Sequence, residues 1–285
     1  MREPAADFVI ETDRLTKHYG AVVAVEELSL RVPAGGVFGL LGPNGSGKTT
    51  TIGMLLGLVR PTGGTIHLFG HPQGGVTEAD LHRIGAIVET PTFYPYLSGR
   101  ANLRFFQAIG SHDGAGELDS LLALVELAGA ADRPYRTYSL GMKQRLGIAY
   151  ALLGNPDLVF LDEPTNGLDP AGVVEVRDLI RRLGSDGRTV ILSSHLLGEV
   201  QQVCDQVAIL SHGHLLVSGK VSDLLQQQGG LRLTTTDNAR AHDLLAALPF
   251  VHGVRPSGEQ LIVSAPPERA WEITRALAEA GVYVA

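Results

Sequence analysis

The chain has 285 residues, 44% of them hydrophobic and 19% charged, with a formal net charge of −7 from 23 basic and 30 acidic side chains. That length holds one large domain and a small one, and the composition excludes a disordered chain. The acidic balance gives no charge-driven affinity for nucleic acid, and no window reaches the roughly eighteen uninterrupted apolar residues of a membrane span. The N-terminal sequence MREPAADFVIETDR lacks a basic and then apolar leader, so the expected location is the cytoplasm. The single cysteine, Cys204, excludes an internal disulfide and is expected to be a buried free thiol.

From about residue 7 to 223, short apolar runs alternate with amphipathic helical stretches, the pattern of parallel strands joined by helices. Strands are expected over 37–41, 84–88, 158–161, 190–193, 207–210 and 214–218. The first, VFGLL, runs into GPNGSGKTT (42–50), where Gly42, Gly47, Lys48 and Thr49 satisfy G-x-x-x-x-G-K-[ST]. A strand, a loop and a helix in that order make a phosphate cradle from Gly42, Pro43, Asn44, Gly45, Ser46, Gly47, Lys48, Thr49 and Thr50. Glycine lets the backbone turn its N–H groups toward the phosphates, and the helix that follows adds its positive end. Lys48 supplies a mobile cation for the outer phosphates, and the Thr49 hydroxyl can ligate Mg²⁺. A glycine-rich turn with an incidental lysine is the plainer alternative, and the fit of both flanks argues against it.

Over 98–153 the pattern is helical throughout, with LRFFQAI, DSLLALVELAGA and KQRLGIAYALLG carrying apolar residues at three and four spacing. An all-helical insert between strands of one sheet reads as a subdomain. The next strand, LVFLDEP (158–164), ends in two acids, which places them at the edge where open α/β sheets bind ligands. Asp162 is expected to hold Mg²⁺ and Glu163 to act as general base; solvated acids at a strand end are the alternative. After residue 223, LLQQQGG reads as a linker. Beyond it come strand (231–236), helix (238–248), strands (251–255 and 260–264), helix (267–280) and strand (282–284), an order that fits a small ferredoxin-like sandwich. The expected domains are therefore 1–228 and 229–285.

Between the two nucleotide motifs lies YSLGMKQRL (138–146), which resembles the signature of ATP-binding cassette (ABC) transporter ATPases, usually LSGGQ or LSGGMKQR. The resemblance makes Ser139 and Gly141 phosphate contacts, with Leu140 in place of a usual glycine. In LTKHYGAVVAVEEL it makes Tyr19 the aromatic that stacks on adenine, and in NGLDP it makes Asp169 a residue that aligns two subunits. In SSH (193–195) it makes His195 the switch histidine that contacts the γ-phosphate. IGAIVETP (84–91) carries Glu89 where most members have a glutamine that ligates Mg²⁺, and this resembles the subgroup with bacitracin-resistance and lantibiotic-immunity ATPases. A carboxylate can still ligate this hard cation.

The fold so implied is α/β, a P-loop NTPase of ABC ATPase type with a helical subdomain, plus a small C-terminal α+β (ferredoxin-like) domain. The implied function is the ATP-hydrolysing subunit of an exporter of drugs or peptide antibiotics, with Lys48, Glu163 and His195 as catalytic residues. Two copies would enclose ATP and Mg²⁺, and an integral membrane permease would hold the pair on the inner face of the cell membrane. Three alternatives are a soluble ABC-type ATPase acting on ribosomes or DNA, the ATPase subunit of an importer, and a chain in which ATP acts chiefly as a conformational switch for the C-terminal domain.

Overall fold

The run VFGLL becomes strand β3 (Gly36–Leu41), buried from Val37 onward. In the computed structural model of the chain the described residues are 8–72, 78–88, 92–110, 116–228, 230–258, 260–266 and 269–284. Two compact units divide it, Met1–Gly219 and Lys220–Ala285.

In the first unit, β3 lies within a sheet that also contains β6 (Ile84–Ile87), β7 (Leu158–Leu161), β8 (Thr189–Ser194), β9 (Gln206–Ser211) and β10 (His214–Lys220). Among the described residues the strand order is β10-β9-β3-β8-β7-β6, and β6 through β9 pair in parallel with their neighbours on the β3 side. Every residue of β7 and β8 is buried, as expected of strands covered on both faces. His212 and Gly213, both at positive φ, close the tight turn between β9 and β10. Because β3 and β7 lie on either side of β8, the loops leaving all three strands come together at one edge of the sheet.

A second sheet lies within residues 7–223, where the sequence pattern predicts only parallel strands joined by helices. It is antiparallel, built from β1 (Phe8–Tyr19), β2 (Val22–Pro33), β4 (Gly63–Leu68) and β5 (His71–Pro72) in the order β2-β1-β4-β5. Its inner face contributes Ile10, Leu15, Val25, Leu28, Leu30, Ile66 and Leu68 to a core shared with Phe38, Leu40, Phe160 and Ile191 of the parallel sheet. Helix α1 (Lys48–Leu55) adds Ile52, Met54 and Leu55 to that core, so the helix that begins at the end of the 42–50 loop is gripped on its apolar side. A short helix α2 (Glu78–Leu81) precedes β6.

The helical part contains α3 (Gly99–Ile109), α4 (Glu117–Leu124) and α5 (Leu140–Ala151), with short 3₁₀ turns at Ala128–Ala130 and Tyr135–Thr137. Ser98 caps α3 by accepting the Ala101 N–H at 3.1 Å. Phe93 sits edge-on to Phe106, Tyr135 and Tyr150 and fastens the 92–98 segment to the helices. Helices α6 (Pro170–Ser185) and α7 (Leu197–Val203) return the chain between β7, β8 and β9.

Cys204, directly after α7, is buried, and burial followed by the charge of Asp205 pushes its thiol up to about 12. The reactive form is the thiolate, so alkylation at pH 8 should be at least about a hundredfold slower in the native chain than in urea. Equal labelling rates would contradict the burial.

The second unit begins with α8 (Val221–Gln228), which packs on strand β13 (Gln260–Ser264). The unit boundary therefore lies at Gly219/Lys220, ahead of the linker expected near residue 228. Strands β11 (Gly230–Leu233) and β12 (Gly253–Ser257) flank β13 in the order β11-β13-β12, and a bridge from Thr235 to Val284 brings the C-terminal residues beside β11. Helices α9 (Asn238–Ala246) and α10 (Ala270–Glu279) bury Ala241, Leu245, Ile273 and Leu277 against Leu261 and Val263. This is the ferredoxin-like arrangement, with its last strand reduced to a single bridge.

Candidate active site

The loop that leaves β3 has room for backbone alone at its first residue. A Cβ on Gly42 would penetrate the Leu210 carbonyl oxygen and the Ser46 hydroxyl. Gly45 and Gly47 then turn the chain at φ +78° and +101°, a region open to glycine and closed to most other residues. Gly47 is the N-cap of α1 and offers no side-chain cap, and the first turn carries no acid. The first N–H groups of the helix are therefore left for an anion.

Lys48 folds back over this loop and is 6% exposed. Its Nζ donates to the Gly42 carbonyl at 2.8 Å and the Pro43 carbonyl at 3.3 Å, and lies 3.3 Å from Glu163 Oε1. The Thr49 hydroxyl donates to Asp162 Oδ2 at 2.9 Å, so the start of α1 is tied to the tip of β7. The other Asp162 oxygen accepts the Ser193 hydroxyl, and Ser193 Oγ accepts the Glu163 N–H at 2.8 Å. Glu163 Oε2 lies 2.9 Å from His195 Nδ1. Three strand ends thus bring together Lys48, Thr49, Asp162, Glu163 and His195.

Ser193 was not assigned a role from sequence, beyond its place in SSH. It is fully buried and joins both acids, and a serine at the buried end of a strand is the signal that was present. Ser193→Ala strips a partner from Asp162 and from the Glu163 N–H. A loss of about 1–3 kcal/mol in unfolding free energy is expected. Urea titration of the two forms measures it.

Thr49 and Asp162 present two adjacent oxygen donors, a set that suits Mg²⁺, which takes few protein ligands and completes its octahedron with substrate phosphates and water. No cluster of three or more acidic, histidine or cysteine side chains able to hold a metal occurs among the described residues. Glu89 lies outside the described residues.

Tyr19 is half exposed at the end of the β1–β2 hairpin, paired with Val22, and the Lys17 ammonium sits 4.8 Å from its ring centre. Strand β2 reaches the 42–50 loop at Ala24, whose carbonyl lies 2.5 Å from where a Gly47 Cβ would be.

The signature residues form a second cluster. Ser139 caps α5, accepting the Met142 N–H at 3.2 Å, and Asp169 caps α6, accepting the Gly172 N–H at 3.0 Å. A Cβ on Gly141 would meet Gly172 only at ordinary contact distance, 4.0 Å, and Leu140 lies against Gly167. Among the described residues, Ser139 and Gly141 make no hydrogen bond to the 42–50 loop or to Glu163.

A family model described as ABC transporter matches residues 25–166. The bacitracin transport ATP-binding protein BcrA of Bacillus licheniformis is 47% identical over 210 residues, which cover 73% of this chain and 68% of that protein. The chain belongs to the ABC transporter family. This ABC ATPase is also 36% identical over 286 residues to the daunorubicin resistance ATP-binding protein DrrA3 of Streptomyces coeruleorubidus, an alignment covering 97% of the chain and 90% of its relative. That match extends through the second unit as well as the first. A solved ATP-binding subunit of an ABC transporter superposes with a TM-score of 0.68 at 30% identity, over 78% of the ABC ATPase and 93% of the solved chain. The ABC ATPase binds and hydrolyses ATP, and the G-x-x-x-x-G-K-[ST] sequence lies in the cluster at the ends of β3, β7 and β8.

Proposed function

We propose that this chain is the ATP-hydrolysing subunit of an antibiotic exporter. The observation that carries this reading is its relatedness to bacitracin-transport and daunorubicin-resistance proteins, the latter across nearly the whole chain. In the proposed site the 42–50 loop and Lys48 hold the phosphates, Tyr19 stacks on the base, and Thr49, Asp162 and Glu89 hold Mg²⁺. Bound Mg²⁺ supplies charge neutralisation at the phosphate oxygens. Glu163 takes a proton from the attacking water as its oxygen bonds to the γ-phosphorus and ADP leaves. His195 meets the Glu163 carboxylate through Nδ1 and, in this proposal, stands beside the γ-phosphate, so the task of the protein is placement and electrostatics.

Ser139, Gly141 and Asp169 act, in this proposal, toward a second copy. The α5 tip is a capped helix start of the kind that receives anions, and it carries the exposed apolar Leu140 beside it. Two copies enclosing two ATP molecules would give each phosphate group a loop from one chain and a helix tip from the other.

No helix among the described residues is long and apolar enough to cross a membrane. The helical part carries Tyr94, Tyr96, Phe105 and Ile109 at its surface, Tyr96 82% exposed, a patch suited to a permease subunit that would hold the chain on the inner face of the membrane. Separation of the two copies after hydrolysis would move that surface and the transport path with it.

The test is to express the chain with its genetically adjacent membrane protein in a sensitive host and to measure growth in bacitracin and in daunorubicin. Protection against either that vanishes with Glu163→Gln is the expected result. Unchanged sensitivity to both, with permease-stimulated ATP hydrolysis, would remove the antibiotic reading. Glu89→Gln is expected to preserve nucleotide-dependent pairing while shifting the Mg²⁺ dependence of hydrolysis, since it exchanges a charged oxygen ligand for a neutral one. Superimposable Mg²⁺ titrations would leave the carboxylate without a special role.

A further inference from the structure

Glu199 takes no part in the chemistry described above, yet one of its oxygens joins the two loops that carry Glu163 and His195. It stands in the first turn of α7. Its Oε2 accepts the Thr165 hydroxyl at 2.7 Å and the Ser194 hydroxyl at 3.1 Å. Ser194 Oγ in turn accepts the Leu196 N–H at 3.0 Å, so the Ser194 oxygen both receives and gives a hydrogen bond. Thr165 lies two residues beyond Glu163, and Ser194 immediately precedes His195. Both hydroxyl residues are buried, so water competes little for these bonds.

The need for such a tie is visible in the backbone. Glu163 sits at φ +48°, a left-handed conformation that a residue with a Cβ keeps only when its surroundings hold it there. On one side Ser193 grips the Glu163 N–H. On the other, the loop continues through Thr165, whose side chain is fixed by Glu199. The same carboxylate oxygen fixes the residue before His195. A slackening of either loop would lengthen the 2.9 Å contact between Glu163 and His195.

We propose that Glu199 is a positioning residue for ATP hydrolysis, clamping Thr165 and Ser194 so that Glu163 and His195 meet in working geometry without Glu199 touching the substrate. This rests on the reading of Glu163 as the base and adds a residue to it. A competing account gives Glu199 only the service of a negative charge at the start of α7. The two accounts part at glutamine, which keeps an oxygen to accept both hydroxyls and loses the charge.

The experiment measures kcat and KM for Mg-ATP on the purified full chain and on Glu199→Ala, Glu199→Gln, Thr165→Val and Glu163→Gln. Glu199→Ala is expected to lower kcat by up to about 10²-fold, the scale of a 1 Å misplacement, with KM within about threefold of the parent. Glu199→Gln should recover kcat to within about threefold, and Thr165→Val should lower it alone but add nothing to Glu199→Ala. Parent kcat in Glu199→Ala, or Glu199→Gln as slow as alanine, overturns the proposal. Should Glu199→Ala fail to fold, parent kcat in Thr165→Val overturns it equally. If Glu163→Gln hydrolyses at the parent rate, the base reading falls and this one with it. An inactive Glu163→Gln beside an unimpaired Glu199→Ala removes Glu199 alone.

Discussion

Glu163→Gln is expected to slow ATP turnover by about 10²- to 10⁴-fold while ATP affinity stays within a few-fold of the parent. The substitution keeps the shape of the side chain, and its one oxygen can still accept from Lys48 Nζ, 3.3 Å from the carboxylate, while the amide NH₂ takes the side toward His195 Nδ1, 2.9 Å away. The backbone contact from Glu163 N–H to Ser193 is untouched, so the left-handed turn and the Asp162 position survive. On the proposed reading of Glu163, what is lost is the proton acceptor for the attacking water. A negative charge beside the outer phosphate is lost too, which favours the ATP-bound state. The variant should therefore accumulate a nucleotide-bound pair of chains. Single-turnover hydrolysis reads the first effect and light scattering in Mg-ATP reads the second. A parent rate at saturating Mg-ATP assigns the base elsewhere, and a variant that stays single in ATP removes the paired site.

The parts of this site that were legible in the sequence are those in which local chemistry compels residue type. The 42–50 loop is one, because its turn needs positive φ at Gly45 and Gly47 and its first residue has no space for a side chain. The LVFL run before Asp162 and Glu163 is another, since a strand buried on both faces leaves an unbroken apolar sequence. Less was visible where meaning depends on a neighbour distant in the chain. Ser193 reads as any strand-end serine until β7 and β8 lie side by side, and only then does its hydroxyl reach both acids. Glu199 and Thr165, 34 positions apart, meet for the same reason.

The antiparallel sheet leaves a faint trace in the sequence for a different reason. β1 and β2 are twelve residues each, and their pairing shifts register between Thr12 and Leu15 and again between Leu15 and Lys17. Those shifts break the alternation that marks a half-buried strand, which persists clearly only over Leu28, Leu30 and Val32. In the second unit the element order was legible, while the closing strand is a single bridge between Thr235 and Val284 that follows the positive-φ turn at Gly281.

Gly47→Ala should be among the most damaging single-methyl changes available to the phosphate loop, and Gly45→Ala supplies its control. Both glycines have positive φ, so each alanine bears a backbone penalty of about 1–2 kcal/mol. Their surroundings differ. A Cβ on Gly45 meets nothing within 4 Å, whereas one on Gly47 comes 2.5 Å from the Ala24 carbonyl and 3.0 Å from Val25 Cγ2. Ala24 belongs to β2, whose Val25 is part of the core, so the strand cannot yield without disturbing packing. Gly47 is also the residue from which α1 starts, and a displaced helix end carries Lys48 and Thr49 away from the positions at which they meet Glu163 and Asp162. Gly47→Ala is thus expected to cost about 3 kcal/mol or more in stability and to weaken nucleotide binding by about 10²-fold or beyond. Gly45→Ala should lose only the backbone penalty in the nucleotide-free chain. Thermal melts without nucleotide isolate the clash with β2, because a methyl at Gly45 can still obstruct phosphate, while only a methyl at Gly47 strikes the protein. Equal melting temperatures for the two variants would show that β2 does not brace the loop, and the rigidity argued for this end of α1 would have to come from Lys48 and its carbonyl partners instead.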